Sequence, residues 1–176
     1  NGFKKNKDNE NIWIIDPIDG TINFLHGIPH FAISIGLLSK GEMKSGLIFD
    51  PIKNEMFYAE KNNGAFFNNE RIRVSKKNEL SECLFATGGK KYNSINEIST
   101  RKSGCAALDL AYVASGRYDG YCQNNLNLWD IAAGLIILRE AGGVINDIDL
   151  SNHKNLNVIA SSPNINDEFI KKISNF

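Results

Sequence analysis

Several features are scarce in this sequence of 176 residues, and each scarcity argues against a class of protein. Its 20 basic and 20 acidic residues cancel, so there is no overall positive charge of the kind that attracts nucleic acid. No apolar run approaches the roughly 18 residues of a membrane span, and we recognise no signal peptide. The three cysteines are odd in number and have no CxxC spacing, which is typical of reduced thiols rather than of a disulfide framework or zinc site. We therefore expect a cytoplasmic protein with no membrane association and no direct nucleic-acid binding.

Strand-like and helix-like segments divide the sequence into two halves. The first half predicts an antiparallel meander of strands at residues 12–15, 31–38, 43–49, 55–60, 64–69 and 70–74. The second half predicts helices over residues 106–115, 128–141 and 166–173, and strands over residues 118–122, 144–148 and 157–160. The pattern indicates an α/β fold of the layered α+β kind. We expect a sheet-rich N-terminal lobe at residues 1–95 and a C-terminal α/β lobe at residues 96–176, with the seam within residues 87–102.

Residues 16–21, Asp-Pro-Ile-Asp-Gly-Thr, carry the strongest chemical pattern. An apolar strand ends here in two carboxylates, Asp16 and Asp19, and Gly20 permits a sharp turn because glycine tolerates positive φ. Thr21 then begins a helix as its N-cap or first-turn residue. A helix N-terminus suits a phosphate, and paired carboxylates suit Mg²⁺, which shares its coordination with substrate phosphates. Each residue alone is typical of an ordinary turn or cap, whereas the whole segment favours a metal and phosphate site.

A third carboxylate, Asp130, stands in the first turn of an apolar helix more than a hundred residues later. Simple N-terminal capping accounts for it about as well as metal binding does when it is considered alone. The small residues Ala132, Ala133 and Gly134 follow it, and they allow that end of the helix to approach another backbone closely.

Two motifs together resemble those of the inositol monophosphatase family. The family pattern is W-I-x-D-P-[IL]-D-G-T-x-N-F, followed much later by W-D-x-A-A-[GA]-x-x-[IL]-x-x-E-A-G-G. This chain has WIIDPIDGTINFLHG from Trp13 and WDIAAGLIILREAGG from Trp129. The resemblance implies a layered α/β sandwich, usually a homodimer, that hydrolyses a phosphate monoester, inositol 1-phosphate above all. It also implies two or three Mg²⁺ ions that activate a water for in-line attack on phosphorus.

The resemblance also implies roles for individual residues. Asp16 would bridge two metals, the Ile18 carbonyl would bind one of them, and Asp19 with Asp130 would complete the second site. Thr21, Asp16 and Asp19 would be catalytic, with the Thr21 hydroxyl orienting the water. The remaining implied residues face the substrate: Gly20, Thr21, Gly104, Cys105, Ala106, Gln123 and Asp130.

The chain departs from the family pattern in three places. The family's upstream glutamate, about twenty residues before the first aspartate in the resemblance, has no counterpart, and neither do the family's first helices. We therefore expect an N-terminally truncated family member that is impaired on its own. Ile22 replaces a usual second threonine, and Gln123 replaces a glutamate that contacts inositol in many members. Sugar-phosphate, histidinol-phosphate or nucleotide 3′-phosphate hydrolysis is the alternative, as is a non-catalytic interaction protein.

Overall fold

A computed structural model describes residues 4–5, 11–89 and 98–174, which form two β-sheets with helices packed against them. The first sheet contains the predicted meander of six strands and one further strand, at Lys4–Lys5, that was not predicted, and all seven are antiparallel and lie in their sequence order. Its strands are β1 (Lys4–Lys5), β2 (Asn11–Asp19), β3 (Ala32–Ser39), β4 (Glu42–Asp50), β5 (Glu55–Glu60), β6 (Gly64–Phe67) and β7 (Glu70–Ile72). Tight polar connections keep the successive strands from β3 to β7 adjacent, so the sequence pattern was sufficient to predict that part of the sheet.

The strand predicted at residues 12–15 is longer than expected. It continues as β2 through both carboxylates to Asp19, although Pro17 interrupts it. Pairing with β3 shifts between Asp16 and Asp19, which identifies a β-bulge at that point. A bulge accommodates Pro17 because the residues within it need not donate to the ladder.

The second sheet has five strands in the order β11-β12-β10-β8-β9. Its strands are β8 (Leu84–Gly88), β9 (Ser99–Arg101), β10 (Gly120–Leu126), β11 (Val144–Ile145) and β12 (Leu156–Ser161). Strands β8 and β9 were not predicted from the sequence; β8 pairs in parallel with β10, and β9 pairs in parallel with β8. The strand predicted for β10 also ended too early, at residue 122.

The described residues also form four α-helices: α1 (Thr21–Leu25), α2 (Ala106–Ala114), α3 (Leu128–Glu140) and α4 (Asn166–Ser174). Helix α3 is buried over most of its length, as its uniformly apolar sequence predicted. It lies against the first sheet, where a Cβ added at Gly46 would fall 2.7 Å from the carbonyl oxygen of Ala133. The close approach predicted for the small residues of α3 is therefore confirmed.

One cluster of buried apolar residues spans both sheets, from Ile14 in β2 to Ala160 in β12. A smaller cluster lies under α4 and includes Cys83 and Phe169. The expected α+β layered fold is confirmed. The lobe boundary between residues 95 and 96 falls outside the described residues and stays a prediction. Among the helices that the structure describes, none has the length and apolar character needed to cross a membrane.

Candidate metal centre

Three aspartates from distant parts of the chain meet at one point. Asp16, Asp19 and Asp130 each offer a carboxylate oxygen, and these oxygens all lie within 4.8 Å of one another. Asp16 and Asp19 are buried, whereas Asp130 is half-buried. Such a cluster of hard oxygen donors is the arrangement that divalent cations such as Mg²⁺ prefer.

The bulge in β2 sets the orientation of the first carboxylate. The Ile18 N–H donates to Oδ1 of Asp16 at 3.0 Å, which closes a local turn around Pro17. Thr21 then donates its hydroxyl hydrogen to the Ile18 carbonyl at 2.8 Å. Gly20 precedes the helix with φ of 85°, a left-handed conformation that glycine adopts at little cost. Gly20 is therefore the N-cap of α1, and Thr21 is its first helical residue.

Asp19 lies against the N-terminus of α2. Its Oδ2 accepts a hydrogen bond from the Ala107 N–H at 2.6 Å and another from the Cys105 thiol at 3.1 Å. Because the first N–H groups of a helix have no partner within it, the carboxylate stabilises that end of α2. One residue of the first motif thus joins the first sheet to α2.

Asp130 has the capping role that the sequence left open. Its Oδ2 accepts the backbone N–H of Asn127 at 2.8 Å, as the returning half of a capping box at the start of α3. This bond occupies one carboxylate oxygen, and Asp130 still belongs to the acidic cluster. The capping and metal-binding interpretations are compatible.

Burial raises the pKa of all three carboxyl groups. For Asp19 the loss of water is the largest cause, and it raises the pKa to about 7 despite two hydrogen bonds to the carboxylate. Burial also raises the pKa of Asp16, and that of Asp130 rises through burial and the neighbouring charge of Asp16. A cation placed among these oxygens would relieve their repulsion and favour the ionised forms. The donor set therefore fits a divalent metal ion.

An open cleft of about 590 Å³ surrounds the acidic cluster. Most residues that the sequence assigned to the site line it: Asp16, Asp19, Gly20, Thr21, Gly104, Ala106, Gln123 and Asp130. Ile18 and Cys105 do not line it. Cys105 is only 1% exposed, with its thiol directed at Asp19.

One wall of the cleft was not predicted from the sequence. Thr87, Gly88 and Gly89 lie at the end of β8, next to Gln123 of β10. A Cβ on Gly88 would lie 1.7 Å from Oε1 of Gln123, so glycine makes room for that amide. Two glycines, separated from the apolar run at residues 84–86 only by Thr87, were the available signal for a strand end at the site. The other cleft residues that were not predicted are Ile22, Asn23, Lys102, Ser103, Leu126, Asn127 and Trp129.

Comparison with known proteins agrees with this geometry. The sequence profile of the inositol monophosphatase family matches residues 2–176. The chain belongs to the inositol monophosphatase family. Members are generally metal-dependent, and by enzyme type the chain is a phosphatase, a phosphoric monoester hydrolase. The resemblance seen in the two motifs is confirmed.

Three relatives illustrate the range of the family. A fructose-1,6-bisphosphatase/inositol-1-monophosphatase of Thermotoga maritima is 46% identical over 94% of this chain and 68% of its own length. A Nus factor SuhB of Haemophilus influenzae is 40% identical over 98% of this chain and 70% of its own. The crystal structure of the extragenic suppressor protein suhB from Bartonella henselae superposes with a TM-score of 0.89 at 44% identity, over 96% of this chain and 74% of that one.

The chain is shorter than these relatives. It covers 68–74% of the lengths of the three proteins above and 60% of the length of an inositol-1-monophosphatase of Rhizobium meliloti. The substrate, the metal and the partners of the whole protein are therefore matters for proposal.

Proposed function

We propose that the protein hydrolyses phosphate monoesters with bound Mg²⁺, and that inositol 1-phosphate is its substrate. The observation that carries this proposal is the trio of aspartates, whose ligand oxygens lie within 4.8 Å of one another in an open cleft. Mg²⁺ in such sites keeps part of its coordination for substrate phosphates. The names of several relatives support the same chemistry.

Bound Mg²⁺ supplies a polarised phosphate and a water of lowered pKa. Asp16, Asp19 and Asp130 would hold the cations, because their carboxylate oxygens lie together in the cleft. The Ile18 carbonyl accepts the Thr21 hydroxyl, and because a carbonyl oxygen has two lone pairs it could also bind a cation, as the family resemblance implies.

Thr21 orients the attacking water. Because its hydrogen is donated to the Ile18 carbonyl, the hydroxyl oxygen is left as an acceptor for an O–H of water. Gly20 turns the backbone from β2 into α1, and in the family resemblance its amide and that of Thr21 face the phosphate. The mechanism uses no side chain as a nucleophile.

A sugar bisphosphate is the second candidate substrate. Gln123 brings no negative charge to the cleft, and Lys102 lines the same cleft. An added phosphate on the substrate is therefore not opposed at this wall by a carboxylate. The Thermotoga maritima relative carries both fructose-1,6-bisphosphatase and inositol-1-monophosphatase in its name. Histidinol phosphate and nucleotide 3′-phosphates complete the panel to be assayed.

Phosphate release by the full-length protein tests the proposal. Wild-type protein should release phosphate from inositol 1-phosphate only when Mg²⁺ is present. Asp130→Asn should lower kcat/KM by roughly 100-fold or more, because it removes a metal-binding charge. Asp167→Asn is the matched control, since Asp167 is also a first-turn aspartate but lies on exposed α4 outside the cleft. Turnover without metal, or a fully active Asp130→Asn variant, would contradict the proposal.

The competing proposal is a non-catalytic interaction protein. Relatives named as Nus factors, at 40–41% identity, suggest a role as an interaction partner in addition to the enzyme type. The same assay separates the two, because an interaction protein should release no phosphate from any ester of the panel with Mg²⁺. We also propose, from the family resemblance, that the protein is a cytoplasmic homodimer, which light scattering and cell fractionation would check.

A further inference from the structure

The side chain of Cys105 is buried against Asp19 and does not line the cleft where a substrate would bind. It is 1% exposed, and its Sγ lies 3.1 Å from Oδ2 of Asp19 and 3.6 Å from the backbone oxygen of the same residue. The thiol is the donor, since an ionised carboxylate can only accept. Substrate in the cleft would meet Gly104 and Ala106 rather than this side chain.

Two donors converge on one oxygen of Asp19. The Ala107 N–H reaches Oδ2 at 2.6 Å, and the Cys105 thiol reaches the same atom at 3.1 Å. Two hydrogen bonds from different directions fix the side-chain torsion of a carboxylate more narrowly than one bond does. Oδ2 is thereby held toward α2, and Oδ1 is the atom left for a cation.

Packing holds the thiol in place. Cys105 is the N-cap of α2, with an extended backbone at φ −139° and ψ 99°. A Cβ added at Gly20 would lie 3.3 Å from the Cβ of Cys105, so the corner at residues 19–20 rests directly on this side chain. A cysteine is small enough to fit behind that corner and still reach Asp19.

We propose that Cys105 is a positioning residue, whose hydrogen bond holds the Asp19 carboxylate in its metal-binding orientation. The proposal rests on the proposed function, because it requires Asp19 to be a cation ligand. Outer partners of metal ligands have a general role of this kind, and their loss weakens metal binding by about 10- to 100-fold.

Calorimetric titration of the full-length protein with Mg²⁺ tests the role without an activity assay. Cys105→Ala should bind Mg²⁺ about tenfold more weakly than wild type, and Cys105→Ser should restore the affinity to within about twofold, because its hydroxyl can donate the same bond. Cys83→Ala is the matched control. That cysteine is 2% exposed in the other core cluster and donates its thiol to the Glu79 carbonyl at 3.2 Å, away from the cleft.

The outcomes are distinguishable. Wild-type affinity in Cys105→Ala would overturn the positioning role, and so would a Cys105→Ser variant as weak as Cys105→Ala. If Cys105→Ala does not fold, as judged by circular dichroism, Cys105→Val places a methyl group where the thiol was, without the donor, and should show the same tenfold weakening, about 1.4 kcal/mol. A wild-type protein that binds no Mg²⁺ at all would instead overturn the proposed function.

Discussion

Replacing Gly46 with alanine would test how closely α3 must approach the first sheet. A Cβ at this position would lie 2.7 Å from the Ala133 carbonyl oxygen and 2.8 Å from the Ala133 Cα, whereas ordinary contact begins at 3.4 Å. Both neighbouring atoms belong to the backbone of a buried helix and cannot rotate away. The helix must therefore retreat by roughly 0.6 Å, or the strand must bend, to accept one methyl group.

The expected cost of Gly46→Ala follows from two opposing effects. Overpacking a well-packed core costs about 1–3 kcal/mol, and alanine recovers about 0.5–1 kcal/mol by restricting the unfolded chain. These ranges allow a net loss of up to about 2.5 kcal/mol in the free energy of unfolding, and we expect about 1–2 kcal/mol because the contacted atoms belong to the backbone of α3. Because Asp130 stands in the first turn of α3, retreat of the helix should also weaken Mg²⁺ binding.

Gly36→Ala is the matched control, since Gly36 is the register partner of Gly46 in the neighbouring strand. Its added Cβ would meet the flexible end of Met43 at 2.8 Å and the Ala132 Cβ at 3.2 Å. We expect a loss below about 1 kcal/mol, because the Met43 side chain can move. Urea unfolding of both variants measures the difference. A Gly36→Ala variant that loses as much as Gly46→Ala, or a stabilised Gly46→Ala, would refute the reasoning.

Two further predictions concern buried polar groups. Burial raises the pKa of Asp109 well above its usual 3.8, and its Oδ1 has no partner among the described residues. Asp109→Asn should therefore raise the free energy of unfolding relative to wild type by an amount that grows as pH rises above 3.8 and is absent below it. Unfolding measured across pH tests this expectation, and a difference that does not depend on pH would contradict it. Tyr121 donates to Oε1 of Gln123 at 2.9 Å, and Gln123→Glu can keep that bond while adding one negative charge. This variant should lower kcat/KM for fructose 1,6-bisphosphate about tenfold more than for inositol 1-phosphate; equal losses for the two esters would count against the second substrate.

Local patterns were enough to predict the elements whose partners lie next to them in the sequence. Strands β3 to β7 of the meander pair in order through short connections, so alternation and turn residues located them. Strands β8 and β9 were missed because they are short and pair in parallel, β8 with β10 more than thirty residues away. The residue types at positions 84–88 do not indicate that β10 is the partner strand.

The features of the metal centre also divide into those that the sequence predicts and those that depend on tertiary structure. The sequence by itself determined the three aspartates, the helix that carries Asp130 and the family, because these depend on residue types at fixed spacings. Only the tertiary structure decided that Asp19 also stabilises the start of α2, that Cys105 lies behind it rather than in the cleft, and that the end of β8 forms a wall. These relations join residues of separate elements. They arise when α2 and α3 pack between the two sheets, and spacing along the chain carries no signal for them.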